Sequence, residues 1–214
     1  MNQDQHAIAV VRETLLSKKP RPGALWVALA SLLVIAFVSL ASWRQSPLRL
    51  AATRDSVFVE GEYWRLLSSI AVHADERHLV VNGAVLGLLT YLVYGYFGAA
   101  SYPLLGLVLG TITIGLTLQT YPPDVALLGA SSLVYLLAAF WLTSFVLIER
   151  RLSPMKRLLR ATGFALITLV PTSFDPHVSY RAHAIGFGLG LVWGLAHFAA
   201  RRDEIRQEER VELD

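Results

Sequence analysis

The chain has 214 residues, 54% of them hydrophobic and only 16% charged, with a mean hydropathy of +0.49. That is more apolar material than a soluble domain of this length can hide in one core, so a water-soluble globular protein is excluded and the chain is read as a bilayer protein. The net charge is only +3, and the absence of cysteine rules out disulfides, thioether-linked haem and cysteine-ligated zinc or iron–sulfur sites.

Residues 1–23 are mostly polar and carry Arg12, Lys18, Lys19 and Arg21. The apolar run Ala24 to Trp43 meets the length of about 20 residues that a crossing needs. It ends Ser39-Leu40-Ala41, a small-x-small triplet that can be read as a signal-peptidase site; the polar leader and long apolar core favour a retained helix instead. The segment Arg44 to Arg77 holds five arginines, but Asp55, Glu60, Glu62, Asp75 and Glu76 accompany them and lysine is absent. It reads as the main external loop. Trp43, Phe58, Tyr63 and Trp64 are interleaved with those charges, the composition of a segment resting in the headgroup layer.

Further crossings are predicted at Leu79 to Phe97, Tyr102 to Leu118, Val125 to Ile148 and Tyr180 to Ala199. Met155 to Val170 is shorter and starts with Lys156, Arg157 and Arg160, so by length alone it is either a crossing or a re-entrant helix. Orientation decides. Basic residues flank the first run, follow the fourth (Arg150, Arg151, Lys156, Arg157, Arg160) and follow the last (Arg201, Arg202). With six crossings all three clusters fall on the cytoplasmic side, whereas with five the last falls outside. The expected organisation is a cytoplasmic segment at 1–23, a six-helix membrane domain at 24–200 and a charged cytoplasmic tail at 201–214, read as a solvated extension of the last helix. No internal repeat is evident.

Polar residues then gather at one depth. Counted from Val125, Ser131 lies about six residues in, or roughly 9 Å at 1.5 Å per residue, and His183 lies about three residues past Tyr180. His78 and Asn82, at i and i+4, share one face at the outer start of the second run. Ser and Thr in spans usually serve helix association, and a histidine is rarer; polar groups at one depth on three helices point to a shared site. Gly186 and Gly190, continued by Gly194, form a small-residue face one turn beyond His183 that allows close helix approach. Tyr135, at i+4 from Ser131, is placed to stack under an imidazole or simply to pack. No acid lies inside a span nearby, so a nucleophilic Ser131 would work as a dyad with His183.

These residues resemble the rhomboid family of intramembrane serine proteases. Trp64-Arg65 resembles the family's first-loop pair; His73, His78 and Asn82 resemble its loop histidine and His-x-x-x-Asn helix. Gly129-Ala130-Ser131 resembles the nucleophile motif, with Tyr135 at the position of its ring, and His183 with Gly186 and Gly190 resembles the histidine helix. One departure is Ser132, where the motif usually continues with glycine. The resemblance implies an all-α membrane protein, a six-transmembrane-helix rhomboid-like bundle, that cuts transmembrane segments of other membrane proteins near their external end. Ser131 and His183 would be catalytic. His78, Asn82 and the Ser131 backbone N–H would hold the oxyanion, and the short fifth crossing would be a movable gate. No metal, cofactor or nucleic-acid partner is expected; the bilayer and transmembrane substrates are, with the oligomeric state open. The expected location is a bacterial inner membrane.

Three rival classes carry different signatures. A membrane metalloprotease would want His-Glu-x-x-His, which is absent. A rhomboid-like pseudoprotease that binds or escorts membrane proteins is disfavoured by retention of Ser131 and His183 and kept open by Ser132. A small transporter lacks an intramembrane carboxylate or repeated broken helices. Reporter fusions placed after Ser153 and after Asp214 should both report cytoplasm; an external signal from either would break the shared depth of Ser131 and His183.

Overall fold

The computed structural model describes residues 9–173 and 178–213, so the first eight residues of the leader and Asp214 of the tail lie outside the described residues. The chain is an all-α bundle. Its long helices are α1 (Ala24–Trp43), then, after a short α2 (Arg65–Ala71), α3 (Glu76–Phe97), α4 (Gly106–Leu118), α5 (Ser131–Ile148), α6 (Pro154–Leu169) and α7 (Tyr180–Ala200). Among the described residues, five helical stretches are long and apolar enough to cross a membrane: α1, α3, Ala100–Leu118, α5 and α7. The sixth, α6, has 16 residues and begins on Pro154, with the Ser153 side chain capping the Lys156 N–H.

Apolar and polar residues are distributed inside out relative to a water-soluble protein. Trp26, Leu33, Phe37 and Ile167 are each about three-quarters exposed, while Ser39, Thr90, Thr113 and Thr117 are buried between helices. A bilayer supplies the reason: lipid tails are as apolar as leucine, so outward leucines lose nothing and buried hydroxyls find partners in the helix backbone. Thr113 and Thr117 do so by donating to the carbonyls of Leu109 and Thr113.

α5 forms the axis of the bundle, nearly every residue from Ser132 to Leu142 being buried, and it packs against α3, α4, α6 and α7. Its contact with α7 is the closest in the fold. A Cβ built on Gly186 would sit 2.5 Å from the Ser132 carbonyl oxygen, and one on Gly190 would sit 2.2 Å from that of Leu136 and 2.8 Å from the Ala139 Cβ. Glycine is required there because the obstacle is backbone, which cannot rotate away. The helix-packing reading of Gly186 and Gly190 therefore has direct geometric support.

Helix α3 starts three residues before the expected Leu79 and α4 four residues after the expected Tyr102, and two further differences bear on the site and the tail. The apolar run beginning at Val125 is not helical until Ser131: Leu127 pairs with Ala52 in a two-way backbone bridge (N···O 2.8 and 3.0 Å), and Gly129 takes φ +104°. Extended pairing followed by a left-handed residue cannot be read from hydropathy, and Ser131 is consequently the first residue of α5 instead of a residue well inside it. The tail is not a simple continuation of α7 either. The helix breaks at Arg201, α8 (Arg202–Gln207) follows, and strand β2 (Arg210–Leu213) pairs antiparallel with β1 (Ala9–Glu13) in the register Ala9↔Leu213. Around that sheet Lys18 pairs with Glu208, Arg12 with Glu212 and Arg150 with Glu209. Strands β1 and β2 thus meet at the end of the bundle opposite Ser131.

Gly190→Ala should destabilise the folded protein by about 1–3 kcal/mol, since the added methyl overlaps the Leu136 carbonyl. Gly188→Ala, on the same helix with nothing within 4 Å of the new Cβ, should be neutral or slightly stabilising. Thermal unfolding of the two purified variants side by side checks this.

Candidate functional site

The external segment between α1 and α3 organises the site from outside. Arg65 pairs with Glu62, stacks over the Trp64 ring at 4.8 Å, and donates to the Ala51 carbonyl at 3.1 Å. Ser68 Oγ donates to the Leu50 carbonyl at 2.8 Å. These bonds hold the strand-like stretch whose Ala52 bridges Leu127, so Trp64-Arg65 act on the turn before Ser131 through the backbone.

That turn leaves no room for a side chain. Gly129 donates its N–H to the Ser69 carbonyl at 2.8 Å, and a Cβ on it would lie 2.6 Å from both Cε1 and Nε2 of His78. Positive φ and the absence of a side chain are both needed, which singles out glycine. The following N–H, of Ala130, is accepted by Nε2 of His73 at 3.2 Å. Ser131 then opens α5. Its N–H is among the first four of the helix, which have no intrahelical acceptor and sit at the positive end of the macrodipole.

A cavity of about 310 Å³ lies here, lined among others by His78, Gly129, Ser131, Ser132, Ser179 and Ala182. His78 enters it from the first turn of α3, where Asp75 accepts its backbone N–H at 2.8 Å as the N-cap. Asn82, one turn on, is 2% exposed; its Nδ2 donates to the His78 carbonyl at 3.1 Å, and its Oδ1 has no partner among the described residues. His183 is buried on α7 next to Ala182, and its Nε2 is likewise unpartnered among the described residues. Ser131 and His78 therefore line the cavity, while Asn82 and His183 are not part of its lining.

Tyr135 fulfils the stacking alternative. Its ring lies 3.9 Å from the His183 ring at an interplanar angle of 15°. Its hydroxyl lies 2.8 Å from Ser173 Oγ and donates to the Leu169 carbonyl at 3.2 Å, so one residue joins α5, the imidazole of α7 and the end of α6. Ser132 is 1% exposed and its Oγ has no partner among the described residues.

The sequence reading missed several supporting groups. Ser179 caps α7 by accepting the Ala182 N–H and meets the Tyr121 hydroxyl at 3.1 Å; Arg181 lies 4.6 Å over the Tyr121 ring. The Ser-x-x-Ala start of α7 was a legible cap, whereas the Tyr121 contact links distant segments and has no local signal. His73 was noticed only as a loop histidine. It is 0% exposed, at 5.0 Å from the His78 ring, and burial first, then the neighbouring His78, pushes its pKa down to about 3. It is neutral at ordinary pH, which leaves Nε2 free to accept.

The bundle and its outward apolar surface define an integral, polytopic helical membrane protein. The rhomboid domain model matches residues 60–200, and the chain belongs to the rhomboid family. It is also similar to Rhomboid-related protein 2 from mouse (Mus musculus), 28% identical over 216 residues that cover 88% of this chain and 69% of that protein.

The depressed pKa of His73 has a consequence with a definite sign. The unfolded chain binds a proton at His73 below its ordinary pKa of 6.5, whereas the folded one does so only near 3, so stability falls as pH is lowered through that window. His73→Gln removes this contribution. The melting temperature of the wild type should therefore drop more steeply than that of the variant between pH 6.5 and 4.

Proposed function

We propose that this protein is an intramembrane serine protease that cleaves transmembrane segments of other membrane proteins near the end of the bundle where Ser131 lies. The observation that carries the reading is the Gly129 turn, which sets Ser131 at the start of α5 on the wall of a cavity that His78 also lines, with His183 of α7 stacked on Tyr135, four residues along α5 from Ser131.

In this reading Ser131 Oγ attacks the scissile carbonyl while its proton passes to His183 Nε2, which has no partner among the described residues and is available as a base. The C–O bond forms, the tetrahedral oxyanion collapses, and the C–N bond breaks as His183 returns the proton to the leaving amine. Water then repeats the sequence to release the acyl group. No carboxylate is assigned; Tyr135 holds the imidazole plane by stacking. The Ser131 N–H, the His78 ring and the second amide hydrogen of Asn82 Nδ2 are the assigned oxyanion donors. Gly129, Gly186 and Gly190 allow the close approaches on which this depends. A helical substrate hides its carbonyls in hydrogen bonds, so the segment must unwind before attack.

Residues 24–200 are assigned as the membrane domain, flanked by cytoplasmic segments at 1–23 and 201–214, because the basic clusters share one side. A second reading, a rhomboid-like protein that binds membrane proteins without cutting them, is favoured by Ser132: its buried hydroxyl stands where the resembling motif has glycine.

A fluorophosphonate probe on purified protein discriminates. Wild type should be labelled and should cut a model transmembrane substrate, Ser131→Ala and His183→Ala should each lose cleavage, and Ser132→Ala should retain most of it. Equal labelling of wild type and Ser131→Ala would remove the nucleophile assignment. Absence of labelling and cleavage in the wild type would favour the binding protein.

A further inference from the structure

α1 lies outside the region matched by the family, residues 60–200, yet it reaches the serine turn through a closed chain of buried hydrogen bonds. Ser39 and His73 are both 0% exposed. Ser39 Oγ accepts the His73 backbone N–H at 3.1 Å, donates to the Ala71 carbonyl at 3.3 Å and lies 3.2 Å from His73 Nδ1. One turn on, the Trp43 indole N–H donates to the His73 carbonyl at 2.8 Å. Across the ring, Nε2 accepts the Ala130 N–H at 3.2 Å.

These partners fix the tautomer. Nε2 must be bare to accept from Ala130, so the single ring proton of the neutral imidazole is on Nδ1 and points at Ser39 Oγ. The Ser39 hydroxyl hydrogen is then the one given to Ala71, and Oγ accepts from both the His73 backbone N–H and Nδ1–H. Without the hydroxyl the Nδ1 proton keeps only the Ala71 carbonyl as an acceptor, so the ring loses the partner on α1 that sets its tilt. The alternative tautomer would aim an N–H at the Ala130 N–H, donor against donor. Ala130 stands between Gly129 and Ser131, so whatever tilts the ring moves the residue on which α5 begins.

We propose that Ser39 and Trp43 of α1 are positioning residues for Ser131, acting through His73 and the Ala130 N–H, so that the first membrane helix is part of the site's machinery and not only a wall of the bundle. This rests on the assignment of Ser131 as nucleophile. Neither side chain touches a reacting atom; both set where Oγ sits. Misplacing a reacting group by about 1 Å costs up to about 10²-fold in rate, and Ser69 still holds the neighbouring Gly129 N–H, so an effect of about tenfold is expected.

The test uses the full chain in lipid vesicles, with Ser39→Ala, Ser39→Thr and Trp43→Phe. Turnover of a model transmembrane substrate is measured together with hydrogen–deuterium exchange at the Ala130 amide. Ser39→Ala should lower kcat about tenfold with KM within about twofold, and should speed exchange at Ala130. Ser39→Thr, which keeps the hydroxyl, should restore both, and Trp43→Phe, which keeps the ring and loses the indole N–H, should change both in the same direction as Ser39→Ala. Unchanged kcat and exchange in Ser39→Ala, or no recovery in Ser39→Thr, would overturn the proposal and leave Ser39 as a helix-packing hydroxyl. If Ser39→Ala does not fold, Trp43→Phe decides by the same two readouts. If the wild type shows no turnover, the protease assignment fails on its own, and exchange at Ala130 still decides whether the clamp exists.

Discussion

The bundle depends on one contact, that of the α7 glycines with the carbonyl ladder of α5. Gly186 and Gly190 repeat every four residues, and so do the carbonyls of Ser132 and Leu136 that they meet. In a membrane no hydrophobic force drives helices together, so association rests on packing density and on polar contacts, both of which improve as backbones approach. The close contact lets α5 be buried on nearly all sides and lets a histidine on α7 stack on a tyrosine one turn into α5. Any side chain at those glycines would widen the gap along the whole helix pair, because the opposing atoms are backbone.

The second organising element is the serine turn, and it shows how a loop is made rigid without regular structure. Four neighbouring backbone groups are held by three partners: both groups of Leu127 by Ala52, the Gly129 N–H by Ser69, and the Ala130 N–H by His73. Buried main-chain groups need such partners. Here the partners come from α2 and its flanking loops, which are held in turn by Arg65 and Ser68. The external segment is therefore structural scaffolding for the start of α5 as well as a surface element.

Much of this was legible in the sequence, for reasons that can be named. Hydropathy placed α1 at its observed limits and located α6 and α7 to within a residue or so, because bilayer thickness imposes a length that composition must meet. The i+4 spacing left Tyr135 open between stacking and packing, and in the structure its ring stacks on His183 while the α7 glycines face α5. What escaped were features made by pairs of segments far apart in the chain: the Ala52–Leu127 bridge, the Ser39–His73 bonds, the Tyr135–Ser173 contact and the terminal sheet. Periodicity carries no information about such pairings, and the apolar run through Val125 looked helical because nothing local marks an extended stretch of Ala and Leu.

The terminal sheet has a mechanical consequence. Strand β1 leads into α1 and strand β2 follows α7, so the hydrogen bonds and ion pairs that join the two strands fix the heights of the first and last membrane helices relative to each other at that end. Helices that are free to slide answer a thinner or thicker bilayer one at a time, each tilting by its own amount. A clasped pair cannot. A change in hydrocarbon thickness must then be taken up by α1 and α7 tilting together, or by the short α6, which is not held by the clasp.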